Sequence, residues 1–126
     1  MTGFFLVSET TVTQQGQGET AEWKGSGALV TLGILSVEEQ ESLHVSLWQS
    51  SDGTDWGTKP FAQFGHKFYQ GTYQLVALPT LRFIQARWHV NRWGRGDLTP
   101  RFRFYIFIEP VEPDGITSKP VAVTAL

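Results

Sequence analysis

The chain of 126 residues contains no cysteine. That absence removes disulfide staples, thiolate nucleophiles and thiolate-ligated zinc together, and it suits a reducing compartment. Histidine is scarce as well: His44, His66 and His89 are the only three, and none stands in an HxH or HExxH spacing. A histidine-held metal would need all three to converge in the fold. No basic stretch precedes the short apolar run from Phe4 to Val7, and no apolar run approaches the ~20 residues of a membrane helix. The expectation is cytoplasmic synthesis without a signal peptide and no membrane partner. Gly-x-Ser-x-Gly nucleophile turns and phosphate loops are missing. The carboxylates Asp52, Asp55, Asp97 and the group Glu38, Glu39 and Glu41 show no spacing that would set two of them across a glycosidic bond. Asp52-Gly53-Thr54-Asp55 lacks the alternating acids of a calcium loop and reads as a turn. The chain is therefore expected not to be an enzyme and to need no cofactor and no metal.

Net charge is also small, −2 at neutral pH, which argues against a general nucleic-acid binder. Its distribution is uneven. All six arginines (Arg82, Arg87, Arg92, Arg95, Arg101 and Arg103) fall in one segment whose only acid is Asp97, whereas residues 1–55 carry eight acids and one base, Lys24. Such polarity can steer a partner or let one copy dock another, and it can equally serve to solvate two different edges.

What the chain does have is strand alternation. Ser42 to Trp56, SLHVSLWQSSDGTDW, sets Leu43, Val45 and Leu47 on one face and His44, Ser46 and Trp48 on the other, then turns at Asp52-Gly53, over which Trp56 can fold back. Ala28 to Val37 is apolar on both faces, as a central strand would be. Leu81 to Trp93 alternates Ile84, Ala86, Trp88 and Val90 with Phe83, Gln85, Arg87, His89 and Asn91. After Pro100, Phe102, Phe104, Ile106 and Ile108 alternate with Arg101, Arg103, Tyr105 and Phe107. Shorter strands are expected at Phe4 to Ser8 and Tyr73 to Leu78. The polar run after Glu9 reads as an exposed loop or arm, and the proline-punctuated C-terminus reads as a tail. With no helical period and a turn roughly every ten residues, the prediction is an all-β, antiparallel β-sandwich of jelly-roll topology, one domain over residues 1–126 with extended segments at 9–24 and 109–126.

The residues Ser50, Asp52, Gly53 and Trp56, followed about thirty positions on by Leu81-Arg82-Phe83-Ile84, resemble the S-x-DG-x-x-W turn and "RYIR" strand of discoidin-like and galactose-binding-like jelly rolls. In that family these motifs are structural, so no binding residue carries over from them. The long strand with Leu81, Arg82, Ala86, Arg87 and Trp88, in a short chain without cysteine, also resembles small jelly-roll proteins that decorate the capsids of tailed phages and prophages. The first resemblance implies carbohydrate binding. The second implies a structural protein of a virion, where the chain would then be found.

Two function classes follow. If the last two long strands pair through the loop at Arg95, then Arg87, His89, Arg103 and Tyr105 share an outer face. With Arg92, Trp93 and Arg95 of the loop they form a candidate interface for a homo-oligomer or a protein partner in a larger assembly. In the alternative, a carbohydrate-binding module, Trp48, Tyr69 and Trp93 are stacking platforms and Asn91 or Arg92 hydrogen-bond partners. The loop from Asn91 to Asp97 is open to both readings and to a plain hairpin connection.

Overall fold

The computed structural model describes residues 2–38, 42–91 and 101–111. Among them no helix forms, and the strands run in the order β1 (Phe4–Val12), β2 (Gly16–Gln17), β3 (Ala21–Glu22), β4 (Gly27–Glu38), β5 (Ser42–Ser50), β6 (Ala62–Gln63), β7 (Gly71–Ala77), β8 (Phe83–Asn91) and β9 (Arg101–Val111). They pair antiparallel in two sheets. The first sheet has the order β1-β9-β4-β7, and the second has β2-β8-β5-β6 with β3 also on β8. Counting β2 and β3 as two pieces of one strand gives four strands to each sheet. The chain crosses between the sheets at every step except β5 to β6. This is the jelly-roll order expected from the sequence.

Alternation decides which side chains meet between the sheets. Ala28, Val30, Leu32 and Ile34 of β4 and Phe102, Phe104, Ile106 and Ile108 of β9 point inward from the first sheet and are fully or almost fully buried. Leu43, Val45 and Leu47 of β5 and Ile84, Ala86 and Val90 of β8 answer from the second. Each large aliphatic or aromatic side chain so buried contributes about 1.5–3 kcal/mol. β4 is central, paired on one side with β9 and on the other with β7; of its outward residues, Leu29 and Leu35 remain partly exposed.

Two expectations need correction. β8 does not pair with β9: β8 lies beside β5 in the second sheet and β9 beside β4 and β1 in the first. Alternation specifies which residues face inward but is equally compatible with any antiparallel neighbour, so it could not choose between these pairings. The polar run after Glu9 is also no free arm. β1 continues to Val12, and β2 and β3 both hydrogen-bond to β8, with further bonds from Gly18 N–H to Ala86 O and from Trp23 N–H to Arg82 O. Of the C-terminal tail, β9 absorbs Glu109, Pro110 and Val111, and residues 112–126 lie outside the described residues.

The turn after β5 is held by two side chains. Ser50 Oγ accepts the Gly53 N–H at 2.9 Å and donates to Asp52 Oδ1 at 2.9 Å. The same carboxylate oxygen accepts the N–H groups of Thr54 and Asp55, both at 2.9 Å. Gly53 takes the left-handed conformation, φ 82°, that this close wrap requires. The turn is larger than the two-residue hairpin its Asp-Gly pair suggests, since the chain rejoins β5 only where Phe61 N–H bonds to Leu47 O. The backbone N–H groups of Asp55 and Thr54, with the Ser50 hydroxyl, hold the Asp52 carboxyl well below its ordinary range. A depressed carboxylate stabilises the fold above its unfolded pKa, and that contribution is lost as pH falls through the folded value. The wild-type melting temperature is therefore expected to drop from about pH 4 downward, in a component that Asp52→Asn removes because its amide oxygen still accepts the two N–H bonds but does not titrate. Parallel melting curves that stay equally pH-dependent in the variant would contradict this account.

Candidate binding groove and docking face

With β8 and β9 in different sheets, the predicted row divides. Arg87 and His89 stand on the outer face of the second sheet, and Arg103 and Tyr105 stand on the outer face of the first. Arg92, Trp93 and Arg95 lie outside the described residues. The two outer faces differ in chemistry.

On the second sheet, antiparallel register sets His44 opposite His89, Ser46 opposite Arg87 and Trp48 opposite Gln85. β2 adds Gln17 beside Arg87, and Gln15 Oε1 lies 3.2 Å from His89 Nδ1. Between them is a groove of about 290 Å³, lined by Gln15, Gly16, Gln17, His44, Ser46, Trp48, Arg87, Trp88 and His89, with no carboxylate among the described residues of its wall. Arg87 is held in place. Its Nε donates to Gln85 Oε1 at 3.0 Å, and its guanidinium carbon lies 4.3 Å from the centre of the Trp48 ring and 5.8 Å from that of Trp56. Gln85 is itself buried and anchored by its amide N–H on Gly18 O, and Trp48 Nε1 donates to Ser46 Oγ at 2.9 Å. Trp56 thus folds back as the turn motif suggested, but its contact is with Arg87.

All three histidines come together here. His44 faces His89 across the strand pair, and its ring stacks on that of His66 at 4.9 Å and 25°. Among the described residues, however, no group of three His, Cys, Asp or Glu side chains could hold a metal ion. Burial, followed by the nearby His66, pushes the His44 pKa down; a hydrogen bond with Gln63 pulls it up by less, and His89 adds the smallest downward push. Of this groove, the strand alternation could disclose His44, Ser46, Trp48, Gln85, Arg87 and His89 as outward-facing. Gln15 and Gln17 carry no signal that would place them on β8, since they sit in a polar run without alternation.

On the first sheet the outer face is apolar and aromatic. The Phe5 ring meets Tyr105 at 5.8 Å and Phe107 at 5.0 Å, both edge to face, and Phe5 remains 54% exposed. With Thr31 and Leu35 these rings line a cavity of about 560 Å³. Tyr105 lies over Gly33, its cross-strand partner, where an added Cβ would fall 2.2 Å from the ring. The rim carries both charges: Arg103 pairs with Glu9 at 3.7 Å and Arg101 with Glu38 at 3.9 Å. Exposed pairs of this kind contribute little stability, about 0–1 kcal/mol each. Tyr69, a sugar platform in the alternative reading, is 72% exposed but lines neither cavity.

Two predictions test these placements. Gly33→Ala should destabilise the fold by about 1–3 kcal/mol by driving Tyr105 off the sheet, and the loss should largely vanish when Tyr105 is already serine, a coupling readable in denaturant unfolding of the four variants. For His44, a folded pKa below the ordinary 6.5 means that the unfolded chain binds the proton better, so stability falls as pH drops through this range. His44→Gln should flatten the melting temperature between about pH 7 and pH 5, and an unchanged slope would exclude His44 as its source.

No family model matches the sequence, and no curated protein matches it. Among solved structures, the K1 cleaved adhesin domain of Lys-gingipain from Porphyromonas gingivalis aligns at 14% identity with a TM-score of 0.47, over 78% of this chain and 63% of that one. The K3 cleaved adhesin domain of the same protein aligns at 15% identity with a TM-score of 0.47, over 75% of this chain and 63% of that one. The chain spans less than two thirds of the length of either neighbour.

Proposed function

We propose that the chain is a non-enzymatic interaction protein, a jelly-roll subunit that associates with further copies of itself and attaches to a larger assembly of the virion type. The observation that carries this reading is the aromatic group Phe5, Tyr105 and Phe107 on the outside of the first sheet, with Phe5 more than half exposed. Three aromatic rings gathered on a solvent-facing sheet lose nothing structurally by being covered and gain the energy of an interface core. The occupant is a second copy. Glu9, Arg103, Arg101 and Glu38 put both signs of charge on one rim, so a copy related by a two-fold axis can set its arginines against these glutamates. Among the described residues β1 is moreover the edge strand of that sheet, a position whose backbone groups a symmetry mate could also engage. The likeness to capsid-decorating jelly rolls supports the same reading.

Light scattering across a concentration series tests it. The wild-type chain is expected to form a discrete oligomer, and Phe5→Glu is expected to return it to the monomer with its β-sheet circular dichroism intact. A wild-type protein that stays monomeric throughout, or an oligomer indifferent to Phe5→Glu, would overturn the proposal.

A further inference from the structure

Four arginines lie in the described residues, and three of them are paired: Arg82 with Glu22, Arg101 with Glu38 and Arg103 with Glu9. Arg87 has no carboxylate partner among the described residues. Its Nε–H is taken by Gln85 and one face of its guanidinium by Trp48, which leaves the terminal nitrogens to the groove. A guanidinium presents a planar fork that matches a carboxylate bidentately, and here the fork is oriented before any ligand arrives, because Gln85 is buried and tied to Gly18 O. Around it the groove offers further hydrogen-bonding groups, namely the amides of Gln15 and Gln17, the Ser46 hydroxyl and the imidazoles of His44 and His89.

We infer that this groove binds a carboxylate-bearing sugar unit, with Arg87 taking the carboxylate and Gln17, Ser46 and His44 the hydroxyls. The size agrees, since about 290 Å³ lies at the lower end of small-molecule sites, near 300 Å³. A polyanion such as a nucleic acid calls for a series of cations spaced along its backbone, whereas a single guanidinium among amides and a hydroxyl suits one negative charge on a hydroxylated ring. The site is on the opposite face of the sandwich from the proposed self-association surface, so either can fail without the other.

The test is titration of the full chain with a hexuronate, with a short oligomer of it, with glucose and with acetate, followed by calorimetry and by the indole fluorescence of Trp48 beneath Arg87. Hexuronate should bind about tenfold more tightly than glucose or acetate, and Arg87→Gln should abolish most of that advantage. Gln17→Ala and Ser46→Ala, which leave the guanidinium in place, should weaken hexuronate but not acetate, and they decide the matter if the Arg87 variant does not fold. Tighter binding of the oligomer would place the unit within a polymer, and equal binding would assign the site to a single or terminal sugar; both support the groove. Glucose bound as well as hexuronate, acetate bound as well as hexuronate, or no saturable binding at all would overturn the inference.

Discussion

The burial of β9 against β4, facing β5 and β8 across the core, is the constraint on which the rest of the molecule depends. Phe102 and Phe104 are completely enclosed, with Val30, Leu32, Leu43 and Val45 likewise at zero exposure. In a strand, committing one parity inward commits the other outward. Once Ile84 and Ala86 enter the core, Gln85, Arg87 and His89 have no alternative to the outer face. Once Leu43, Val45 and Leu47 enter it, His44, Ser46 and Trp48 must lie beside them. Core packing thus sets the side of the groove that β5 and β8 contribute.

The same logic explains how much could be read without coordinates. The inward sets of β5, β8 and β9 are legible because apolar residues recur at every second position, and β4 is legible as a strand apolar on both faces; together they suffice for an antiparallel sandwich. Pairing is a different kind of information. It depends on which strand ends the chain can bring together, and the outer residues Arg87 and Arg103 would look equally at home side by side or on opposite faces. Gln15 and Gln17 were illegible for a further reason: β2 contributes only Gly16 and Gln17 to the sheet, too short a strand to show a period. Its docking rests on a close approach of backbone to β8, over the Trp88 ring at Gly16, which composition does not reveal.

The two outer faces show how one strand period can serve two surfaces of opposite character. On the first sheet the outward Phe5 of β1 and Tyr105 and Phe107 of β9 are aromatic, and the absence of a side chain at Gly33 lets Tyr105 lie over β4. The result is a broad apolar surface edged by paired charges, with little unsatisfied polarity for a small ligand to address. On the second sheet the outward positions are amides, imidazoles and one guanidinium, and the aromatic rings serve to seat the cation. The uneven charge of the sequence acquires a physical sense here. The acids near the N-terminal half neutralise Arg82, Arg101 and Arg103 at the rims, while Arg87 sits in a groove that has no acid among the described residues.

Among the described residues Arg87 has no counter-charge, so something else there must compensate its partial removal from water. Trp48 and Trp56 offer their π faces, a contribution of about 0.5–2 kcal/mol for such contacts, and Gln85 offers one oxygen. An opposing carboxylate from the protein would compensate better. Gln15, Gln17 or Ser46 beside Arg87 could have supplied one at little cost to the core, since these three lie outside it. With neutral groups at these three positions, no acid among the described residues meets the guanidinium. Their placement makes physical sense if the missing charge is brought by a ligand, whose binding would then recover the stabilisation that the folded chain forgoes.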